Sequence, residues 1–166
     1  MNHIETIYGE IKRIGDGEFI LVAPRDDPKG IGCALGVMPW DGRHTVIVTE
    51  RLEAWGTDAW RDYWVMFPLE AGKLYPLAYY RCTARSAEWG EVRGGKPEDQ
   101  EVIGSHHHCS GAPGRQRLLR ISSTEDTIHI GWGDQTTSLR LHHTGRLVHY
   151  CEASVVKVKV TQGGRA

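Results

Sequence analysis

Residues 116–160 constrain the fold more than any other part of the chain. Five short runs follow one another there: Gln116–Ser122, Thr127–Trp132, Thr137–His142, Arg146–Cys151 and Val156–Val160. Turn-forming stretches separate them, among them Ser123–Asp126, Gly133–Gln135 and His143–Gly145. Within each run the side chains alternate. Leu119 and Ile121 oppose Leu118, Arg120 and Ser122; Ile128 and Ile130 oppose His129; Leu139 and Leu141 share a face; Val156, Val158 and Val160 oppose Lys157 and Lys159. A period of two is the signature of a strand with two unlike faces. Connections this short leave no room for the crossover that a parallel pair needs, so the pattern predicts an antiparallel meander. The lysines of the last run would face water and discourage edge-to-edge association.

The first half, residues 1–104, is less regular and richer in aromatics. Ile4, Ile7, Tyr8, Ile11 and Ile14 fit helical spacing, with Asn2 and Glu5 resembling a capping box. Gly9 would interrupt that helix, however, and Gly15-Asp16-Gly17 followed by Glu18–Val22 reads as a tight turn into a strand, which favours a β-hairpin. Pro24–Gly32 reads as a loop. Cys33–Met38 and His44–Glu50 flank Asp41-Gly42, whose residues tolerate the positive φ of a type I′ turn, so a second hairpin is expected. Thr57 and Asp58 suggest a short helix carrying Trp60 and Trp64 at i and i+4. Tyr63–Leu69 and Leu74–Arg85 read as strands around Glu70–Lys73, with Pro68 and Pro76 suited to edges or bulges. Ser86–Gln100 is polar and loop-like. Roughly nine to eleven strands and one or two short helices add up to a single all-β domain, an antiparallel sandwich, jelly roll or barrel.

Charge and composition narrow the function. Lys and Arg number 20 against 21 Asp and Glu, a net charge of −1, so no basic surface points to nucleic acid. No basic leader precedes an apolar run, and no stretch of about 18 apolar residues occurs; a soluble, cytoplasmic protein without a membrane partner is expected. Cys33, Cys82, Cys109 and Cys151 form no Cys-x-x-Cys pair and read as reduced thiols.

Two groups of side chains invite a functional reading. The densest reactive stretch is Ser105–Gly114, with His106, His107, His108 and Cys109. In an extended segment His106 and His108 share a face, giving a two-point clip for a divalent metal such as zinc, iron or manganese; the third ligand would come from His142, His143, Cys151, Glu152 or His149, of which His149, in the fourth run, is the first choice. The His-x-His pair is similar to that of the cupin barrels, but Ala112 and Pro113 stand where that family carries its glutamate. The second group is aromatic: Trp40, Trp55, Trp60 and Trp64 lie near Asp41, Glu53, Asp58 and Asp62. Indoles beside carboxylates can form a platform for a sugar ring, a cation or a planar ligand. No Gly-x-Ser-x-Gly elbow or phosphate loop is present. The sequence therefore predicts a ligand- or partner-binding β module with an aromatic-lined cleft, whose ligand would be a small molecule, a carbohydrate or a protein. The alternatives are a metal-dependent enzyme built on His106, His108 and His149, and a structural or assembly subunit able to form an oligomer.

Overall fold

The computed structural model describes residues 3–24, 32–42, 44–54, 63–82, 86–93, 100–107, 117–132, 135–152 and 154–162. These residues contain strands and turns and no helix. In chain order the strands are β1 (Glu5–Tyr8), β2 (Glu10–Gly15), β3 (Glu18–Val22), β4 (Cys33–Pro39), β5 (His44–Ala54), β6 (Tyr63–Pro68) and β7 (Leu77–Cys82). There follow β8 (Ser86–Val92), β9 (Gln100–His107), β10 (Arg117–Ser123), β11 (Ile128–Trp132), β12 (Gln135–Leu139), β13 (Arg146–Glu152) and β14 (Ser154–Gln162). They form two seven-stranded sheets. The first has the order β1-β4-β13-β6-β7-β8-β9 and the second β12-β11-β10-β5-β14-β3-β2, with every pairing antiparallel.

The core lies between the sheets. Phe19, Leu21, Met38, Val65, Phe67, Tyr80, Leu119, Ile121, Ile128, Ile130, Leu147, Val156 and Val158 are all buried in one cluster. Each large side chain taken from water contributes about 1.5–3 kcal/mol before entropy is counted, so the alternating strands are held in register by this layer. A second cluster occupies the other face of the first sheet: Leu35, Val37, Trp64, Met66, Leu77, Tyr79, Val92, Val148 and Tyr150. The first sheet is therefore apolar on both faces across its central strands.

Several sequence expectations change here, each for a physical reason. The meander holds only for β10, β11 and β12. β13 leaves it to pair with β4 and β6, because Leu147, Val148, His149, Tyr150 and Cys151 are all buried and such a strand needs cover on both faces. β14 then returns to the second sheet between β5 and β3, which puts Lys157 and Lys159 in its middle and not at an edge. The Asp41-Gly42 hairpin does not form. Gly42 takes a positive φ of 88°, but β4 and β5 enter different sheets, since Ala34–Met38 are buried on both faces. Residues 4–14 are two strands broken at Gly9 (φ 67°), β1 on the first sheet and β2 hairpinned to β3 through Gly17 (φ 69°). Trp64 belongs to β6 and to no helix, while residues 55–62 lie outside those described. Ser86–Val92 is a strand: Ala87 packs in the core, and Glu88 and Glu91 mask the alternation. Pro68 ends β6, an interior strand, opposite Leu77.

Candidate functional site

The second face of the first sheet gathers the polar chemistry of the described residues. Register across β13, β6, β7 and β8 places Tyr150 opposite Trp64, Trp64 opposite Arg81, and Arg81 opposite Glu88. Side chains directly across an antiparallel pair are neighbours, so these four form one continuous row. Tyr79 flanks it from the next position of β7 but one, opposite Met66. The Trp64 and Tyr79 rings are 5.0 Å apart and inclined by 33°; Tyr150 meets Trp64 edge-on at 5.1 Å. Arg81 Cζ stands 5.3 Å from the centre of the Trp64 ring, a cation over a π face. Gly90 makes space for Tyr79: a Cβ there would lie 3.0 Å from Tyr79 Cε1 and would collide with the Glu101 carbonyl.

Exposure changes along the row. Tyr150 and Trp64 are buried, whereas the side chains of Arg81 and Glu88 are 13% and 19% exposed. Arg81 Nη2 lies 2.8 Å from Glu88 Oε1, an ionic contact whose angles fall short of a hydrogen bond. Both charged groups therefore keep hydrogen-bonding capacity. Behind them Trp64 Nε1, Tyr79 Oη and Arg81 Nε are buried donors with no hydrogen-bond partner among the described residues. An unmatched buried donor costs about 1–3 kcal/mol, and three of them on one patch mark a place where the fold tolerates that cost. Tyr150 differs, donating to Glu152 Oε1 at 2.5 Å. Burial first, then the charge of Glu88, lifts the Tyr79 phenol above the ordinary tyrosine range; burial first, then Glu152, does the same for Tyr150. Both phenols stay protonated and act as donors. At its solvent end the patch thus presents a guanidinium donor beside one carboxylate acceptor, a set suited to ligands dense in hydroxyl groups.

The residues singled out in the sequence are dispersed. Trp40 is 3% exposed and packs between the sheets against Phe67 and His143, ring centres 5.7 and 5.0 Å away. It offers no face to a ligand. Trp64 is 1% exposed and its Nε1 is buried, so it offers a ligand neither a stacking face nor a donor and serves as the ring beneath Arg81. Trp55, Trp60 and His108 lie outside the described residues. His106 stands on β9 opposite Ala87, and His149 on β13. Four inter-strand spacings of about 4.8 Å separate β13 from β9, about 19 Å in all, so these two histidines cannot share an ion. His149 is fully buried in the core, its Nδ1 bonded to Tyr63 Oη, its Nε2 3.1 Å from Met38 Sδ, and its ring edge-on to Phe19 at 5.2 Å. Among the described residues no three His, Cys, Asp or Glu side chains are grouped as a metal would require. Cys33 and Cys151 form no disulfide with each other. Cys33 stands across from Glu152 and Cys151 from Ala34, which sets the two sulfurs on opposite faces of the sheet.

Arg81 and Glu88 escaped the sequence reading. The signal was available: they sit symmetrically about the midpoint of residues 83–86, with Cys82 opposite Ala87, and opposite charges so placed are cross-strand partners once Ser86–Val92 is read as a strand.

Two apposed antiparallel sheets in this order define a β-sandwich of the concanavalin A-like lectin and glucanase fold. Many solved structures share it, among them the following three. The carbohydrate-binding module CBM66 from Bacillus subtilis superposes with a TM-score of 0.61 at 8% identity, over 96% of this chain and 92% of that one. The carbohydrate recognition domain of Emp46p, in its metal-free form, gives 0.59 at 10% identity, over 98% and 89%. A glycoside hydrolase family 16 endo-glucanase from Bacteroides ovatus, in complex with G4G3G-2F-DNP, gives 0.57 at 10% identity, over 95% and 94%. At such identities the likeness is one of fold. No family model and no curated protein matches the sequence.

Proposed function

We propose that this chain is a carbohydrate-binding β-sandwich whose site is the Tyr150–Trp64–Arg81–Glu88 row with Tyr79. The observation that carries the reading is the Arg81–Glu88 ion pair, which reaches solvent at the end of a buried aromatic row and keeps hydrogen-bonding capacity on both partners. Neighbouring hydroxyls of a sugar supply what this pair lacks: one accepts from the guanidinium while the next donates to the carboxylate. Glu88 answers the charge of Arg81 within the site, so the ligand need not bring an anion. The fold shared with a carbohydrate-binding module and a carbohydrate recognition domain supports the same class of ligand.

The test is a glycan array probed with the full chain, followed by calorimetry on the sugars that bind. Exchanging Arg81→Gln and Glu88→Gln together removes both charges without stranding either. Affinity for the selected glycan should fall at least about tenfold, the equivalent of one lost charge-assisted hydrogen bond. Binding of equal strength by the double variant, or an array with no signal, defeats the assignment.

A further inference from the structure

The free edge where β1 and β2 meet holds a second feature, independent of the carbohydrate reading. At Gly9 one continuous segment passes from the edge of the first sheet to the edge of the second. Beyond that junction the two edges part, and a cavity of about 290 Å³ opens between them. Ile4 and Thr6 line it from the first sheet, and Ile11, Arg13, Glu18 and Phe19 from the second. Gly36 permits this arrangement, since a Cβ there would collide with Ile11 Cδ1 and lie 2.6 Å from Ile4 Cδ1. Phe19, 2% exposed, belongs to the core and forms an apolar floor.

The pattern of β2 is inverted at its end. Alternation turns Ile11 and Arg13 toward the inter-sheet side while Lys12 and Ile14 face out, leaving Ile14 47% exposed and a guanidinium on the cavity wall. Ile7 and Tyr8 are exposed on the same segment, so three of the four large apolar side chains exposed among the described residues border this edge. The cavity wall carries Arg13 and Glu18, with His3 beside them. Among the described residues Glu18 has Lys159 at 3.8 Å, and Arg13 has Asp16 at 3.7 Å, with Asp16 95% exposed, and a long 3.4 Å bond to the Gly15 carbonyl. Ion pairs that exposed are worth little, so Arg13 is free to exchange Asp16 for another anion.

We propose that this cleft binds a small amphipathic carboxylate, its apolar body against Ile4, Ile11 and Phe19 and its charged end on Arg13. With about 30 Å³ for each water-sized unit, the cavity takes roughly ten non-hydrogen atoms. Octanoate is of that size and serves as the probe, with octylammonium as the same body carrying the opposite charge. Titration of octanoate into the full chain, followed by amide chemical shifts, should move signals from Ile11 to Phe19 saturably below about 10 mM. Arg13→Gln should weaken the binding about tenfold, octylammonium should bind at least about tenfold less well, and the Arg81→Gln, Glu88→Gln variant should bind octanoate unchanged. Arg13 is exposed enough that its exchange leaves the fold intact, which the unchanged spectrum of the remaining residues checks. No saturable shift, equal affinity for the two amphiphiles, or an Arg13→Gln variant that binds as before overturns the proposal and leaves Arg13 as a charge that keeps a sheet edge from pairing with another chain.

Discussion

Tyr79→Phe is the substitution that most directly examines the candidate site. It removes one oxygen and keeps the ring, so the 5.0 Å contact with Trp64 persists. The deleted hydroxyl is buried without a partner among the described residues, and relieving such a group returns about 1–3 kcal/mol. The unliganded variant should therefore be more stable than the parent, by roughly 2–4 °C in melting temperature for each kcal/mol at this chain length. Tyr150→Phe, one strand beyond Trp64, supplies the opposite sign. It deletes a 2.5 Å hydrogen bond to Glu152, a carboxyl only 3% exposed, and should cost about 1.5–3 kcal/mol. Urea unfolding followed by tryptophan fluorescence, with equal slopes for all three proteins, measures both changes on one scale. A loss of about 1 kcal/mol or more in Tyr79→Phe would show that the hydroxyl has an acceptor and would refute this account of the packing beneath Arg81.

Two further outcomes follow from the same structure. Gly90→Ala would drive a methyl group into the Glu101 carbonyl and against Tyr79, so it should destabilise the chain by about 1–3 kcal/mol and reduce any glycan binding that depends on Tyr79, as urea unfolding and calorimetry would register. Alkaline pH should also weaken the fold. Burial pushes the Cys151 thiol from 9.0 up to about 12, so the unfolded chain ionises first; this contribution is complete below pH 9 and is lost as pH rises toward 12. The raised phenols of Tyr79 and Tyr150 act in the same direction above pH 10. Melts between pH 8 and 11 should fall by up to about 1.4 kcal/mol per pH unit per group, and Cys151→Ala should flatten the first part of that decline.

The strands were largely readable and their partners were not. Alternation in Arg117–Ser123 and Ile128–Trp132 follows from one buried face, and that pattern sits in the residues themselves. β13 and β4 carry apolar side chains on both faces, a sign of a covered central strand that short connections made easy to overlook. Pairing such as Cys33 with Glu152 depends on residues far apart in the chain, and nothing local encodes it. The site shows the same division. Trp64 drew attention as an indole near acids, yet its useful neighbours, Arg81 and Glu88, come from two later strands that only register brings beside it. His106 and His149 looked like ligands because of their type, but four strand spacings are invisible in a list of residues.

The position of β13 and β14 has a kinetic consequence. These consecutive strands fill the interior of both sheets, β13 between β4 and β6 and β14 between β5 and β3. During synthesis every other described strand leaves the ribosome before them, so each sheet waits as two separate fragments with a one-strand gap. Pairings of such long sequence separation raise the contact order and slow folding. Until Arg146–Gln162 arrives, the strands on either side of each gap present open backbone edges, and that interval is when the nascent chain is most exposed to aggregation.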